Sequence, residues 1–162
     1  LKQHLKEWAL DPSGWRTKAS DEPIHLTAIK DVQNNKETYY KERWIKENDL
    51  EQRLLVTFSP KYKHYQETIR KRQIERALKK VDHPSSLKKK RANDPLRFVT
   101  VKHATTDGET AENMQVTLDE SLIEKEAQYD GFYGMCTNLT SDPLALIRVN
   151  QQRGKSKSAS EL

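Results

Sequence analysis

Residues 53–81 constrain the fold of this chain more tightly than any other stretch. The run Arg53-Leu54-Leu55-Val56-Thr57-Phe58 is β-rich and stops at Ser59-Pro60, the pattern of a strand. Proline suits the first turn of a helix, where its missing N–H costs nothing, and a serine before it is a good N-cap. Beyond Pro60, the residues Ile74, Ala77, Leu78 and Val81 recur at i, i+3, i+4 and i+7, preceded by Tyr62, Tyr65 and Ile69. That spacing predicts a helix over 60–81, ended by Asp82-His83-Pro84-Ser85-Ser86. Together with the strands and helices that follow, this makes α+β the expected fold class.

The remaining segments fill in that expectation. Leu1, Leu5, Trp8 and Ala9 share one helical face over residues 1–10, and Asp11-Pro12-Ser13-Gly14 breaks it. Residues 15–37 are polar with scattered Ile24, Leu26, Ile29 and Val32, which admits a short strand. Residues 38–48, with Tyr39, Tyr40, Trp44 and Ile45, fit helix and strand equally. Residues 85–95 form a basic loop closed by Asn93-Asp94-Pro95. Strands are predicted at 97–101 and 114–118, paired with each other and separated by the turn signal Asp107-Gly108. Asp119 or Ser121 caps a short helix over 122–127, Asp130-Gly131 makes a turn, and 132–137 reads as a strand. Asp142-Pro143 opens a last helix through Ile147 and Arg148. After Arg153 the helical pattern collapses into Gly154-Lys155-Ser156-Lys157-Ser158-Ala159-Ser160-Glu161-Leu162. The expected architecture is a mixed sheet with flanking helices.

Several functional classes find no support in the sequence. Five histidines lie scattered at 4, 25, 64, 83 and 103, and no HExxH, nucleophile-elbow or phosphate-loop pattern occurs. Glu120, Glu124 and Glu126 lie on a short helix as a solvated face. The single Cys136 permits neither an internal disulfide nor a cysteine-based metal site. No catalytic residue, metal ligand or cofactor is therefore expected in this chain. No apolar run approaches the length of a membrane helix and no secretory signal is visible, which fits a cytoplasmic protein without a membrane partner. With 34% hydrophobic and 33% charged residues, the chain suits thin layers, long exposed helices, or a piece of a larger body.

Charge supplies the positive signal. The net charge of +5 is uneven: residues 61–91 carry twelve basic and three acidic side chains, whereas 1–60 balance and 92–162 are acidic. Arg70, Lys71, Arg72, Arg76, Lys79 and Lys80 fall on the predicted helix, followed by Lys88, Lys89, Lys90 and Arg91. Phosphate contacts need only well-placed cations, so this block is suited to tracking a DNA backbone without reading bases. Tyr62 and Tyr65 either assist there or pack on the neighbouring strand, and packing is expected for at least one. The competing reading of the block is a solvated surface.

The linear order of several short pieces resembles the insertion-sequence DDE transposases whose catalytic Glu lies in a Tyr-x2-Arg-x3-Glu-x6-Lys signature. The pieces are 53–59, Arg72-Gln73-Ile74-Glu75-Arg76-Ala77, Asp119-Glu120-Ser121-Leu122-Ile123, and Tyr129-Asp130-Gly131-Phe132-Tyr133 through Thr137-Asn138-Leu139. The resemblance runs from about residue 50 onward, and more weakly over Trp8 to Trp15. It implies an RNase H-like core in which two Asp and one Glu hold two Mg2+ ions that activate water or a DNA 3′ hydroxyl. It implies further that residues 1–128 are the β-rich insert before the catalytic Glu. Residues 129–153 would then return to a partial RNase H-like core, with neither catalytic Asp in the chain and Asp130 a turn residue. Arg153 falls on the signature Arg and joins the DNA-contacting set, Asn150 stands where the family has Tyr, and Lys157 stands where the Glu belongs.

Residues 153–162 admit the back-translation CGT GGC AAA TCG AAG AGT GCT TCC GAA TTA, with codons chosen to allow it. Read from the third base, it encodes Trp-Gln-Ile-Glu-Glu-Cys-Phe-Arg-Ile, which restores the Glu at its expected spacing. The expectation is therefore a transposase fragment acting in DNA transposition, with residues 154–162 an out-of-frame tail, inactive alone and partnered by DNA and other transposase copies. The alternative is a stand-alone DNA-binding or regulatory truncated protein.

Overall fold

The computed structural model describes residues 1–30, 32–82, 92–103, 114–138 and 140–159, with the backbone alone at 102, 103, 114 and 153–159. In chain order the elements are α1 (Gln3–Leu10), β1 (Trp15–Thr17), β2 (Ser20–Ile24), β3 (Tyr39–Glu47), β4 (Leu50–Phe58), α2 (Pro60–Val81), β5 (Val99–His103), β6 (Met114–Leu118), α3 (Glu120–Ala127), β7 (Phe132–Thr137) and α4 (Pro143–Ala159). Single 3-10 turns lie at Leu26–Ala28 and Pro95–Phe98. The chain divides into two compact units, Leu1–Lys63 with Gly131–Leu162, and His64–Asp130.

The first unit is built on a five-stranded sheet in the order β2-β1-β3-β4-β7. β3 and β4 form a long hairpin whose two-residue turn, Asn48-Asp49, has φ of 49° and 63°. Asparagine and aspartate tolerate this left-handed conformation best among residues with side chains, and it matches the twist of the strands. Leu54, Val56 and Phe58 point to one face of β4, where they form a core with Leu5, Ala9, Trp15 and Tyr39. Leu55 and Arg53 point to the other, and both are buried. There Arg53 pairs with Glu42 and donates to the Ser141 carbonyl, so the lead-in to α4 crosses this face. β4 is thus covered on both sides, which is why 53–58 reads as a nearly continuous apolar run rather than an alternating one.

The second unit has its own core, Ala77 and Val81 of α2 against Leu96 and Val99, with Val101 and Val116 of the β5–β6 hairpin packed on it. Asp94 caps the 3-10 turn through the Leu96 N–H, and Asp119 caps α3 through the Leu122 N–H.

The α+β class holds, as do the helix over 60–81 and the strand over 132–137. The Ser59 hydroxyl caps α2 by accepting from the Tyr62 N–H at 3.2 Å. Residues 39–47, which fit either element, are a strand. Two expectations need correction. The described strand pairings are all antiparallel rather than mixed. The two-residue link Asn48-Asp49 permits only that direction for β3 and β4, whereas β7 reaches β4 from far along the chain. The helix expected to collapse after Arg153 continues to Ala159, because extending a helix that is already formed adds one bond per residue and no proline interrupts it there. The breaks between the two compact units fall at Lys63/His64, inside α2, and at Asp130/Gly131.

Candidate nucleic-acid interface

In the second unit, α2 carries the residues that sequence reasoning singled out. Its inner side is fixed by Ala77 and Val81, both buried. At 100° per residue, Tyr65, Arg72, Arg76 and Lys79 fall within an arc of about 60° on the opposite side. All four are exposed, Tyr65 by 59%. Lys71 and Lys80, also exposed, flank this arc on either side. From Arg72 to Lys79 the cations extend along roughly 10 Å of helix axis. Glu75, between Lys71 and Lys79 in projection, is the acidic residue closest to the arc. Tyr65 is the more exposed of the two tyrosines, at 59% against 37% for Tyr62.

Arg70 has a different role from its neighbours. Its guanidinium makes a two-pronged ion pair with Asp130, one prong at 2.8 Å. The two side chains are only 13% and 6% exposed. Hydrogen bonding to Asp130 raises the Arg70 pKa above its ordinary value, with burial opposing. Arg70 is therefore a structural cation, taken out of the DNA-contacting set. Asp130 is a turn residue as expected, but one whose charge holds the turn to the middle of α2. Sixty residues separate the partners, so no local pattern could have paired them.

The other predicted cations are not all placed. Lys88, Lys89, Lys90 and Arg91 lie outside the described residues. Arg153 lies in α4, in the first unit, and only its backbone is described.

Sequence reasoning missed two further charged sites. Arg97 bonds Glu126 and Gln73, and its guanidinium lies 3.9 Å from the Phe98 ring centroid, which ties α2, the 3-10 turn and α3 together. Lys41 is buried in the first unit between Trp8 and Trp15, 4.8 and 4.7 Å from their ring centroids. Its ammonium donates to the Trp8 and Asp11 carbonyls at 2.5 and 2.8 Å, the latter shared with the Trp15 indole N–H, so it ties together the chain at the end of α1. Burial pushes its pKa below the ordinary lysine value, with Asp11 opposing. It lines a cavity of about 410 Å³ with Arg16, Tyr40 and Ser13. The alternation of Tyr39 and Lys41 with the less buried Tyr40 and Glu42 was the available signal, hidden because 38–48 fitted two element types.

Among the described residues, no group of three His, Cys, Asp or Glu side chains could hold a metal ion. Nor is any described helix long and apolar enough to cross a membrane. The donor set needed for the two Mg2+ ions of the resembling family is therefore not assembled by the described carboxylates. No family model, curated protein or solved structure matches this chain.

Proposed function

We propose that this chain is a DNA-contacting part of an insertion-sequence transposase, and that the outer face of α2 lies along the phosphate backbone. The observation that carries this reading is the arc of Arg72, Arg76 and Lys79, exposed and directed away from the core of its own unit. Such a surface binds by neutralising phosphates and releasing counterions, without sequence preference. The order of the resembling pieces supports the family. In this reading the chain binds DNA, while metal-dependent cleavage and strand transfer belong to the intact enzyme.

The test is fluorescence anisotropy of the 162-residue chain on a duplex over a series of salt concentrations. Binding should weaken steeply with salt. The triple variant Arg72→Glu/Arg76→Glu/Lys79→Glu should bind far more weakly, its log–log salt slope shallower by about 2 to 3. Salt-insensitive binding, or a triple variant that binds like wild type, overturns the DNA-contacting role. The family half is tested separately by the nucleotide sequence of the locus. Two in-frame Asp motifs upstream and a Trp-x-Ile-Glu-x-x-Phe frame at codon 153 are expected. Codons that exclude that second frame favour the regulatory DNA-binding protein instead.

A further inference from the structure

The two ends of the five-stranded sheet are built differently. β2 closes one end with Ser20-Asp21-Glu22-Pro23-Ile24, whose two carboxylates and proline deter a second chain from pairing. The outer part of β3, beyond its single pairing with β1 at Arg16↔Tyr40, is guarded by Glu42, Arg43, Lys46 and Glu47. β7 closes the other end with Phe132-Tyr133-Gly134-Met135-Cys136-Thr137, which has neither charge nor proline. Its register against β4 runs from Phe58↔Phe132 to Arg53↔Thr137 without a bulge. Tyr133, Gly134 and Cys136 are exposed.

The direction of the backbone groups on β7 follows from one hydrogen bond. The Ser59 N–H donates to the Gly131 carbonyl at 3.0 Å, on the rung that continues this register. Bonded and non-bonded rungs alternate in antiparallel pairs. Tyr133, Met135 and Thr137 therefore bond to β4, and the N–H and C=O groups of Phe132, Gly134 and Cys136 point to the open side. These six groups are centred on Gly134.

We propose that β7 is a self-pairing edge, along which a second copy of this chain lays its own β7 antiparallel about a two-fold axis at Gly134. Bonded rungs require outward residues opposite outward residues. The register centred on Gly134 meets this for all three, with Phe132 opposite the partner's Cys136 and Gly134 opposite the partner's Gly134. The intervening rungs set Tyr133 against the partner's Met135, an aromatic ring against a thioether. The uncharged strand brings no like charges together, which β2 paired with itself would do. A Cβ at Gly134 would meet nothing of its own chain, so the space at the axis is clear. A six-residue strand buries far less than a standard interface, so the association is weak and concentration-dependent. This inference does not rest on the DNA reading.

Sedimentation velocity of the 162-residue chain over a rising concentration series tests it. A reversible monomer–dimer equilibrium is expected. Gly134→Lys places two ammonium groups across the axis and should weaken dimerisation by about tenfold or more, with unchanged circular dichroism. The double variant Gly134→Cys/Cys136→Ser should form a disulfide-linked dimer under mild oxidation, since rungs at the axis bring Cα atoms within disulfide range. A wild-type chain that stays monomeric throughout, a folded Gly134→Lys variant that dimerises like wild type, or a double variant that fails to cross-link overturns the proposal.

Discussion

Gly131 and Asp130 sit side by side and are constrained by different forces. Gly131 has φ of 86°, and a Cβ there would come within 2.8 Å of Phe58 and Lys63 and 2.9 Å of the Ser59 carbonyl. Gly131→Ala should therefore lower unfolding free energy by on the order of 3 kcal/mol in urea titrations, from backbone strain and overpacking together. Asp130 is held by charge: Arg70→Met leaves its buried carboxylate unpaired and should cost about 3–5 kcal/mol. Adding Asp130→Asn to Arg70→Met should recover part of that loss. Lys41 gives a pH signature. Its folded pKa lies below that of the unfolded chain, so between the two values the unfolded state binds more protons and stability rises with pH. The stability of wild type relative to Lys41→Met should accordingly increase as pH climbs towards the ordinary lysine value of about 10.4. Urea unfolding of both proteins at neutral and alkaline pH measures it.

The elements differ in how openly the sequence declares them. α2 was readable from end to end because Ser59, Pro60 and the spacing of Ile74, Ala77 and Val81 all agree. Its exposed cations followed from the same periodicity, since the face opposite a buried stripe is solvated. Arg70 was misassigned because helical spacing shows which face a residue occupies but not what distant chain meets it. β3 was ambiguous because its alternation includes a buried lysine, a residue type that ordinarily marks the outside. β7 makes a sharp prediction of its own. In hydrogen exchange at low protein concentration, the amides of Tyr133, Met135 and Thr137 should be protected, and those of Gly134 and Cys136 should exchange quickly. Uniform protection along the strand would contradict the register drawn from the Ser59–Gly131 bond.

For the molecule as a whole, the charge block at 61–91 and the α+β class were apparent in the sequence, whereas the division into two units was not. That division depends on β7 returning to pair with β4 across some eighty residues, a contact no local pattern encodes. One consequence concerns light rather than energy. Trp8, Trp15 and Trp44 all belong to the first unit, and residues 64–130 contain no tryptophan. Trp15 is fully buried and Trp44 is 53% exposed, so a collisional quencher will silence Trp44 first and leave the emission blue-shifted. Indole fluorescence followed through denaturation therefore reports on the sheet alone. The basic helix face and its small core melt unseen unless tyrosine emission or circular dichroism is recorded beside it.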